Sequence, residues 1–261
     1  MHSAATFHGR PFVTIPFDLQ TFVIAAAVMS VSYIIFGISA FGAALFTVPI
    51  LSHFLPLDFV LPMCALIDTA AALALGTRIS RDAHWSELKW MVPLSLAGAV
   101  AGVTLLVNLP RQATIAGIGA LLVAYALYSL RQGEANRIVS RAWAPVAGFV
   151  GGAFGTLFGI GAPPYAIYLA HRTQDKLAYR ATLSNMVIFS VGMRVLVFAA
   201  GGLMLADRLV GFAMLAPFAL AGLWFGNRLQ ARISRGGLLR VVAVMLLLIG
   251  ASLLARALSG R

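Results

Sequence analysis

Long apolar blocks separated by short basic loops dominate this chain. The blocks run approximately over residues 19–38, 41–55, 59–77, 89–108, 112–130, 143–158, 159–170, 179–200, 209–226 and 238–258. Their apolar residues are continuous rather than confined to one helix or strand face, which is typical of lipid-facing helices. At ~20 residues per crossing, the pattern predicts an all-α polytopic membrane bundle of about eight to ten segments. We expect a single transmembrane domain over residues 1–261.

The composition agrees with a lipid bilayer as the surrounding medium. Hydrophobic residues make up 61% of the chain and charged residues only 10%, whereas a soluble domain needs more polar surface. The net charge of +11 comes from basic residues between the apolar blocks, where it acts as an orientation signal. We therefore expect no nucleic-acid partner. The single cysteine, Cys64, excludes an internal disulfide and a Cys-x-x-Cys redox pair.

The two halves of the chain share a pattern that indicates an internal duplication. The stretch MVPLSLAGAVAGVTLLVNLPR, from Met91, aligns without gaps on LAPFALAGLWFGNRLQARISR, from Leu215. A proline, a Leu-Ala-Gly triplet, a further glycine and a final arginine coincide. Upstream, AFGAALFTVPIL from Ala40 matches GIGAPPYAIYLA from Gly159 less closely. We expect repeats over residues 17–130 and 143–258.

Charge indicates how the repeats lie in the membrane. If each pair of short glycine-rich blocks forms a hairpin, each half makes an odd number of crossings and the repeats are inverted. Thirteen Lys and Arg residues then share one side, with five opposite, whereas parallel repeats place seven of the thirteen against the positive-inside bias. We therefore expect inverted repeats in a multi-pass protein of the cell (plasma or inner) membrane. The loops on the basic side are 78–89, 131–141, 172–180 and 228–240.

Two corresponding blocks, 41–55 and 159–170, are too short to cross ~30 Å of hydrocarbon as straight helices. Paired broken segments of this kind indicate a transporter binding site. A broken helix frees backbone N–H groups, and these attract anions at a helix N-terminus. The alternative is that the glycines serve close helix packing, as we expect for the Gly-x-x-x-Gly pairs at Gly98 and Gly222. The predicted hairpin site residues are Gly42, Ala43, Gly159, Gly161, Pro163 and Pro164.

Two charged residues fall inside apolar blocks. Asp68 lies midway along its block, where a charge costs ~2.5–3.5 kcal/mol, and Arg194 lies nearer the end of its own. One interpretation makes Arg194 an anion contact and Asp68 its partner or a proton carrier. In the alternative, Arg194 extends to the interface and Asp68 bonds to a backbone group or a serine. Ser184, Asn185 and Tyr165 are further binding candidates, with aromatic packing as the alternative for Tyr165.

No catalytic motif is found in the sequence. It has no Gly-x-Ser-x-Gly, no pair of histidines at metal-ligand spacing on a helix, and no phosphate-binding loop. We therefore expect a non-enzymatic protein without a cofactor or a bound metal.

The chain resembles the sulfite exporter TauE/SafE family of membrane permeases. The resemblance rests on two glycine-rich hairpin sequences, FGISAFGAALFTVPIL and FGTLFGIGAPPYAIYLA, and on Pro-x-x-Leu-Ala-Gly-x-x-x-Gly from Pro93 and from Pro217. It covers about Phe17 to Leu258. It implies transport of a small sulfur-containing anion, such as sulfite or an organosulfonate. Ser39 and Ala43 replace glycines that the family more often has, which predicts a first hairpin that is stiffer or shaped for another solute.

The leading hypothesis is a secondary transporter that exports a small anion, driven by the membrane potential or by protons. A cation or metal permease is the alternative within transport, and it requires several inward carboxylates, histidines or methionines. A non-transporting membrane assembly protein is the other alternative, and the loops here are short for that role. The oligomeric state stays open, and a homo-oligomer is one candidate.

Overall fold

The computed structural model describes residues 17–39, 43–74, 83–131, 139–173, 175–229 and 235–259. Gly42, one of the predicted site residues, lies outside these ranges. The described residues form ten α-helices and one short 3-10 helix, Arg141–Trp143, and contain no strand, so the all-α prediction is confirmed. The helices are α1 Leu19–Ser39, α2 Ala44–Leu51, α3 Leu57–Ala74, α4 Trp85–Asn108, α5 Arg111–Arg131, α6 Ala144–Phe158, α7 Ala162–Arg172, α8 Lys176–Ala200, α9 Ala206–Leu229 and α10 Arg235–Leu258.

Several of these helices match the dimensions of a membrane. Among the described residues, five segments are long and apolar enough to cross a bilayer, and a shorter apolar helix covers Ala243–Leu258. Helices α4 and α9 have 24 residues each, which corresponds to about 36 Å. The prediction of a polytopic membrane bundle is confirmed. The five segments are Leu19–Ile38, Leu57–Ala74, Trp85–Asn108, Leu177–Ala200 and Ala206–Leu229.

Local sequence explains the break between α6 and α7. Helix α6 ends because Gly159 adopts a left-handed conformation with φ of 76°, which glycine tolerates better than other residues. The amide of Ile160 then donates back to the carbonyl of Phe154 at 3.1 Å. Helix α7 follows with Pro163 and Pro164 in its first turn, where the missing amide hydrogens break no intrahelical bond.

Side-chain contacts identify the helix ends that lie together. Glu87, in the first turn of α4, binds Arg141 just before α6 and Arg172 at the end of α7; we call this the Glu87 end. Arg111 at the start of α5 and Arg256 near the end of α10 both donate to the Ser52 carbonyl, just after α2; we call this the Ser52 end. Helix α4 begins at the Glu87 end, and Arg111 follows its last residue closely. The two ends are therefore separated by the length of α4.

The two helical hairpins enter the bundle from opposite ends. The α6–α7 hairpin begins and finishes at the Glu87 end, because Arg141 and Arg172 both bind Glu87 there. The α1–α2 hairpin begins and finishes at the Ser52 end: Phe17, before α1, stacks edge-on against Phe59 of α3 at 5.6 Å, and α2 finishes beside Ser52. Inverted repeats require this arrangement, and we propose that residues 17–130 and 143–258 are related in this way.

Glycine-mediated contacts join the two halves of the chain. Helix α4 packs on α6, and its counterpart α9 packs on α1. A Cβ at Gly98 of α4 would lie 2.0 Å from the carbonyl oxygen of Phe149, and one at Gly222 of α9 would lie 2.4 Å from that of Ser30. These backbones approach too closely for any side chain, as in other membrane helix pairs lined by small residues. The Gly-x-x-x-Gly pairs therefore serve packing.

We expect Gly98→Ala to lower the free energy of unfolding by about 1–3 kcal/mol, because the new methyl group meets rigid backbone. The matched control is Gly192→Ala in α8, where an added Cβ has no atom within 4 Å and the helix gains up to ~1 kcal/mol. Thermal unfolding of the purified variants in detergent measures both. Equal melting temperatures for the two variants would contradict the packing described above.

Candidate functional site

A buried ion pair between Arg194 and Asp68 lies at the centre of the candidate site. Arg194, on α8, is 4% exposed, so its side chain does not extend to the interface. Its Nη2 donates to Oδ2 of Asp68 at 2.7 Å. The other carboxylate oxygen, Oδ1, accepts a hydrogen bond from the hydroxyl of Tyr33 at 2.7 Å. The pairing of the two charges, one of the two interpretations left open by the sequence, is the one observed.

Arg194 also binds the broken end of α6. Its Nη1 donates to the carbonyls of Gly155 at 3.1 Å and Gly159 at 3.2 Å. The last carbonyls of a helix lack intrahelical partners and carry the negative end of the helix dipole. The guanidinium therefore neutralises both a carboxylate and a helix C-terminus. One side chain thus connects α8, α6 and α3.

The break in the second hairpin presents different backbone groups from those expected. The prediction relied on free amide hydrogens, but Pro163 and Pro164 have none, and the groups held by Arg194 are carbonyls. The guanidinium of Arg194 adds a full positive charge at this break, beside the amides of Gly161 and Ala162 that precede the two prolines. In the first hairpin, Ala43 is buried and precedes α2 without a side-chain cap, so the amide end of α2 keeps its favourable potential for an anion.

The second break lies against the first hairpin. A Cβ at Gly159 would lie 2.7 Å from Cγ2 of Val48, in the middle of α2, and 3.3 Å from Leu61 of α3. The carbonyl of the same glycine binds Arg194 at 3.2 Å. The α6–α7 break and the α1–α2 hairpin therefore meet beside the buried ion pair.

Of four further predicted site residues, three are buried and one is exposed. Gly161 packs closely on α6, since a Cβ there would lie 2.7 Å from the carbonyl oxygen of Gly151. Asn185 is buried on α8, and Tyr165 is fully buried on α7. Ser184 is exposed on α8, so the fold does not bring its side chain to the ion pair.

Tyr165 belongs to a buried group of hydroxyls that the sequence did not identify. Its hydroxyl lies 2.7 Å from Oγ of Ser95 on α4 and 3.1 Å from Oγ of Ser190 on α8. The one signal in the sequence that could have identified Ser190 is its position four residues before Arg194, on the same helix face. Serines are common in membrane helices, so Ser95 carried no signal of its own.

A buried carboxylate, that of Glu87, closes the Glu87 end. Glu87 is 2% exposed and accepts hydrogen bonds from Nε of Arg141 at 3.0 Å, Nε of Arg172 at 3.2 Å and the hydroxyl of Tyr168 at 2.6 Å. These contacts attach both legs of the α6–α7 hairpin to α4. Glu87 falls in the predicted basic loop 78–89, and nothing local in the sequence indicates its ionic partners, which are 54 and 85 residues away. No group of three or more His, Cys, Asp or Glu side chains suited to a metal occurs among the described residues.

Two hairpins that enter a helical membrane bundle from opposite ends and meet at a buried charge are the architecture of a membrane transporter. The family model for sulfite exporter TauE/SafE matches residues 24–253, and the chain belongs to this family. The chain is also similar to the "Probable inner membrane transporter protein TsaS" of Comamonas testosteroni, with 25% identity over 190 residues, 72% of this chain and 80% of that protein. No solved structure gives a significant match.

We expect Asp68→Ala or Arg194→Ala alone to lower the free energy of unfolding by about 3–5 kcal/mol, since each leaves one buried charge without its partner. The double variant should lose clearly less than the sum of the two single losses. Thermal or denaturant unfolding in detergent completes this double-mutant cycle. Strictly additive losses would show that the two side chains do not depend on each other.

Proposed function

We propose that this protein is a secondary transporter that exports a small sulfur-containing anion, such as sulfite or an organosulfonate, across the cell membrane. Membership of the sulfite exporter TauE/SafE family supports the class of solute and the direction. The name of the Comamonas testosteroni relative, an inner membrane transporter, supports the location. The observation that carries the proposal is the buried guanidinium of Arg194 at the meeting point of the two hairpins.

The ion pair provides a way to bind and release an anion. A buried guanidinium is stable only with a counter-ion, and here Asp68 supplies it at 2.7 Å. When Asp68 takes up a proton, it becomes neutral and an incoming anion can take its place beside Arg194. The positive charge of Arg194 is then balanced in two states, either by ionised Asp68 or by a bound anion while Asp68 is neutral. Each anion therefore crosses together with the proton on Asp68, and net export follows the outward concentration gradient of the anion.

The hairpins supply the movement that alternating access requires. In the state described here, Glu87 holds both legs of the α6–α7 hairpin at the Glu87 end. Opening at that end requires Glu87 to separate from Arg141 and Arg172. The α1–α2 hairpin enters from the Ser52 end, and its movement opens the site at that end.

Arg194→Ala should abolish sulfite efflux from proteoliposomes, because no other side chain that the structure describes at the break carries a positive charge. Arg228→Ala is the matched control, since Arg228 is exposed on α9 and stacks on Trp224, and its removal should leave flux unchanged. Size-exclusion chromatography establishes that both variants are folded. Unchanged efflux in folded Arg194→Ala would remove this residue from the site.

Asp68→Asn should make anion flux independent of pH, because the amide is permanently neutral and cannot exchange a proton. Wild-type flux should change with pH under the same conditions. Flux of radiolabelled methanesulfonate, which stays a singly charged anion over the working range, measures the difference at a series of internal and external pH values. A pH response in Asp68→Asn equal to that of the wild type would exclude Asp68 as the proton carrier.

A further inference from the structure

The hydroxyls of Ser95, Tyr165 and Ser190 lie in one buried cluster among α4, α7 and α8. Ser95 and Tyr165 are fully buried and Ser190 is 6% exposed. Tyr165 is the central member, with its oxygen 2.7 Å from Ser95 and 3.1 Å from Ser190. The cluster therefore joins one helix of the N-terminal half to two helices of the C-terminal half.

The cluster has one more donor than it uses. Three hydroxyls carry three protons, and the two contacts within the cluster use two of them. These hydroxyls make no other hydrogen bond within the part of the chain that the structure describes. A buried donor without an acceptor costs about 1–3 kcal/mol. We expect a protein to tolerate this cost in its empty state where a bound ligand supplies the missing acceptor.

A second buried donor belongs to the neighbouring arginine. The Nε of Arg194 has no hydrogen-bond partner among the described residues, although both of its Nη atoms are bonded. Ser190 and Arg194 are four residues apart on α8 and so lie on the same face, with Cβ atoms about 5–6 Å apart. Gly155 of α6 lies beside the same arginine, since an added Cβ would be 3.5 Å from its Cδ. A charged and a neutral donor therefore occur together without acceptors.

We propose that the Ser95–Tyr165–Ser190 hydroxyls and Nε of Arg194 form an oxyanion subsite that selects sulfite or a sulfonate over a halide. This inference rests on the proposed function and names the chemistry of its solute. An oxyanion has several acceptor oxygens and can satisfy the hydroxyl proton and Nε–H at once, whereas chloride is a single atom. A site built to bond particular groups strongly rejects a solute that leaves them unpaired.

The test measures sulfite and chloride transport by the full-length protein in proteoliposomes. Ser190→Ala and Tyr165→Phe should raise the KM for sulfite tenfold or more, and the KM for methanesulfonate likewise. We expect chloride to inhibit wild-type sulfite flux only weakly, and its inhibition constant should be the same in the variants. Ser190→Thr keeps the hydroxyl and should retain a KM near that of the wild type. The matched control is Ser52→Ala, because Ser52 is also fully buried but donates to the Pro49 carbonyl at 2.7 Å.

The outcomes separate this inference from the proposal on which it rests. Wild-type sulfite flux with a KM unchanged within twofold in folded Ser190→Ala and Tyr165→Phe would overturn the subsite and leave the transporter intact. An equal rise of KM in Ser190→Thr and Ser190→Ala would also overturn it, since the hydroxyl would then be irrelevant. Wild-type protein that moves neither sulfite nor methanesulfonate above empty liposomes would overturn the proposed function, and the subsite with it.

Discussion

The rest of this structure depends on the need to neutralise one positive charge inside a membrane. Arg194 is almost completely buried, and a charge at such a depth requires partners of opposite sign. It finds a carboxylate on α3 and the carbonyl end of α6. The carboxylate is held in turn by Tyr33 of α1. Gly159 sets where the second hairpin breaks, and a single guanidinium joins that break to the N-terminal half of the chain.

Much of the fold could be predicted from the sequence because the membrane imposes simple rules. Continuous apolar blocks identified the helices, and two blocks too short to cross became α2 and α7. Asp68 and Arg194 stood out because charges are costly in apolar blocks. Their pairing could not be read from the sequence, since 126 positions separate them. Pro163 and Pro164 of α7 have no amide hydrogen, so at these two positions the break cannot offer the donors that the prediction relied on.

Residues that were missed have partners far away in sequence or carry no unusual chemistry. Glu87 looked like an ordinary loop carboxylate until the fold brought Arg141 and Arg172 to it. Ser95 and Ser190 are small polar residues of a kind found in many membrane helices, and only Tyr165 gives them a shared environment. The hydroxyl cluster includes Ser190, one helical turn from Arg194 on α8. Polar groups in hydrocarbon are costly when unpaired, which is a physical reason to associate them with the solute.

The most direct test of the central claim is to locate a bound anion at the guanidinium. Crystals of the full-length protein grown with selenite, a heavier analogue of sulfite, allow the anion to be located by anomalous scattering. The account predicts an anomalous peak within hydrogen-bond distance of Arg194, between the α6–α7 break and the α1–α2 hairpin. Transport-competent protein with the Arg194–Asp68 pair intact, and with selenite bound only elsewhere, would contradict it.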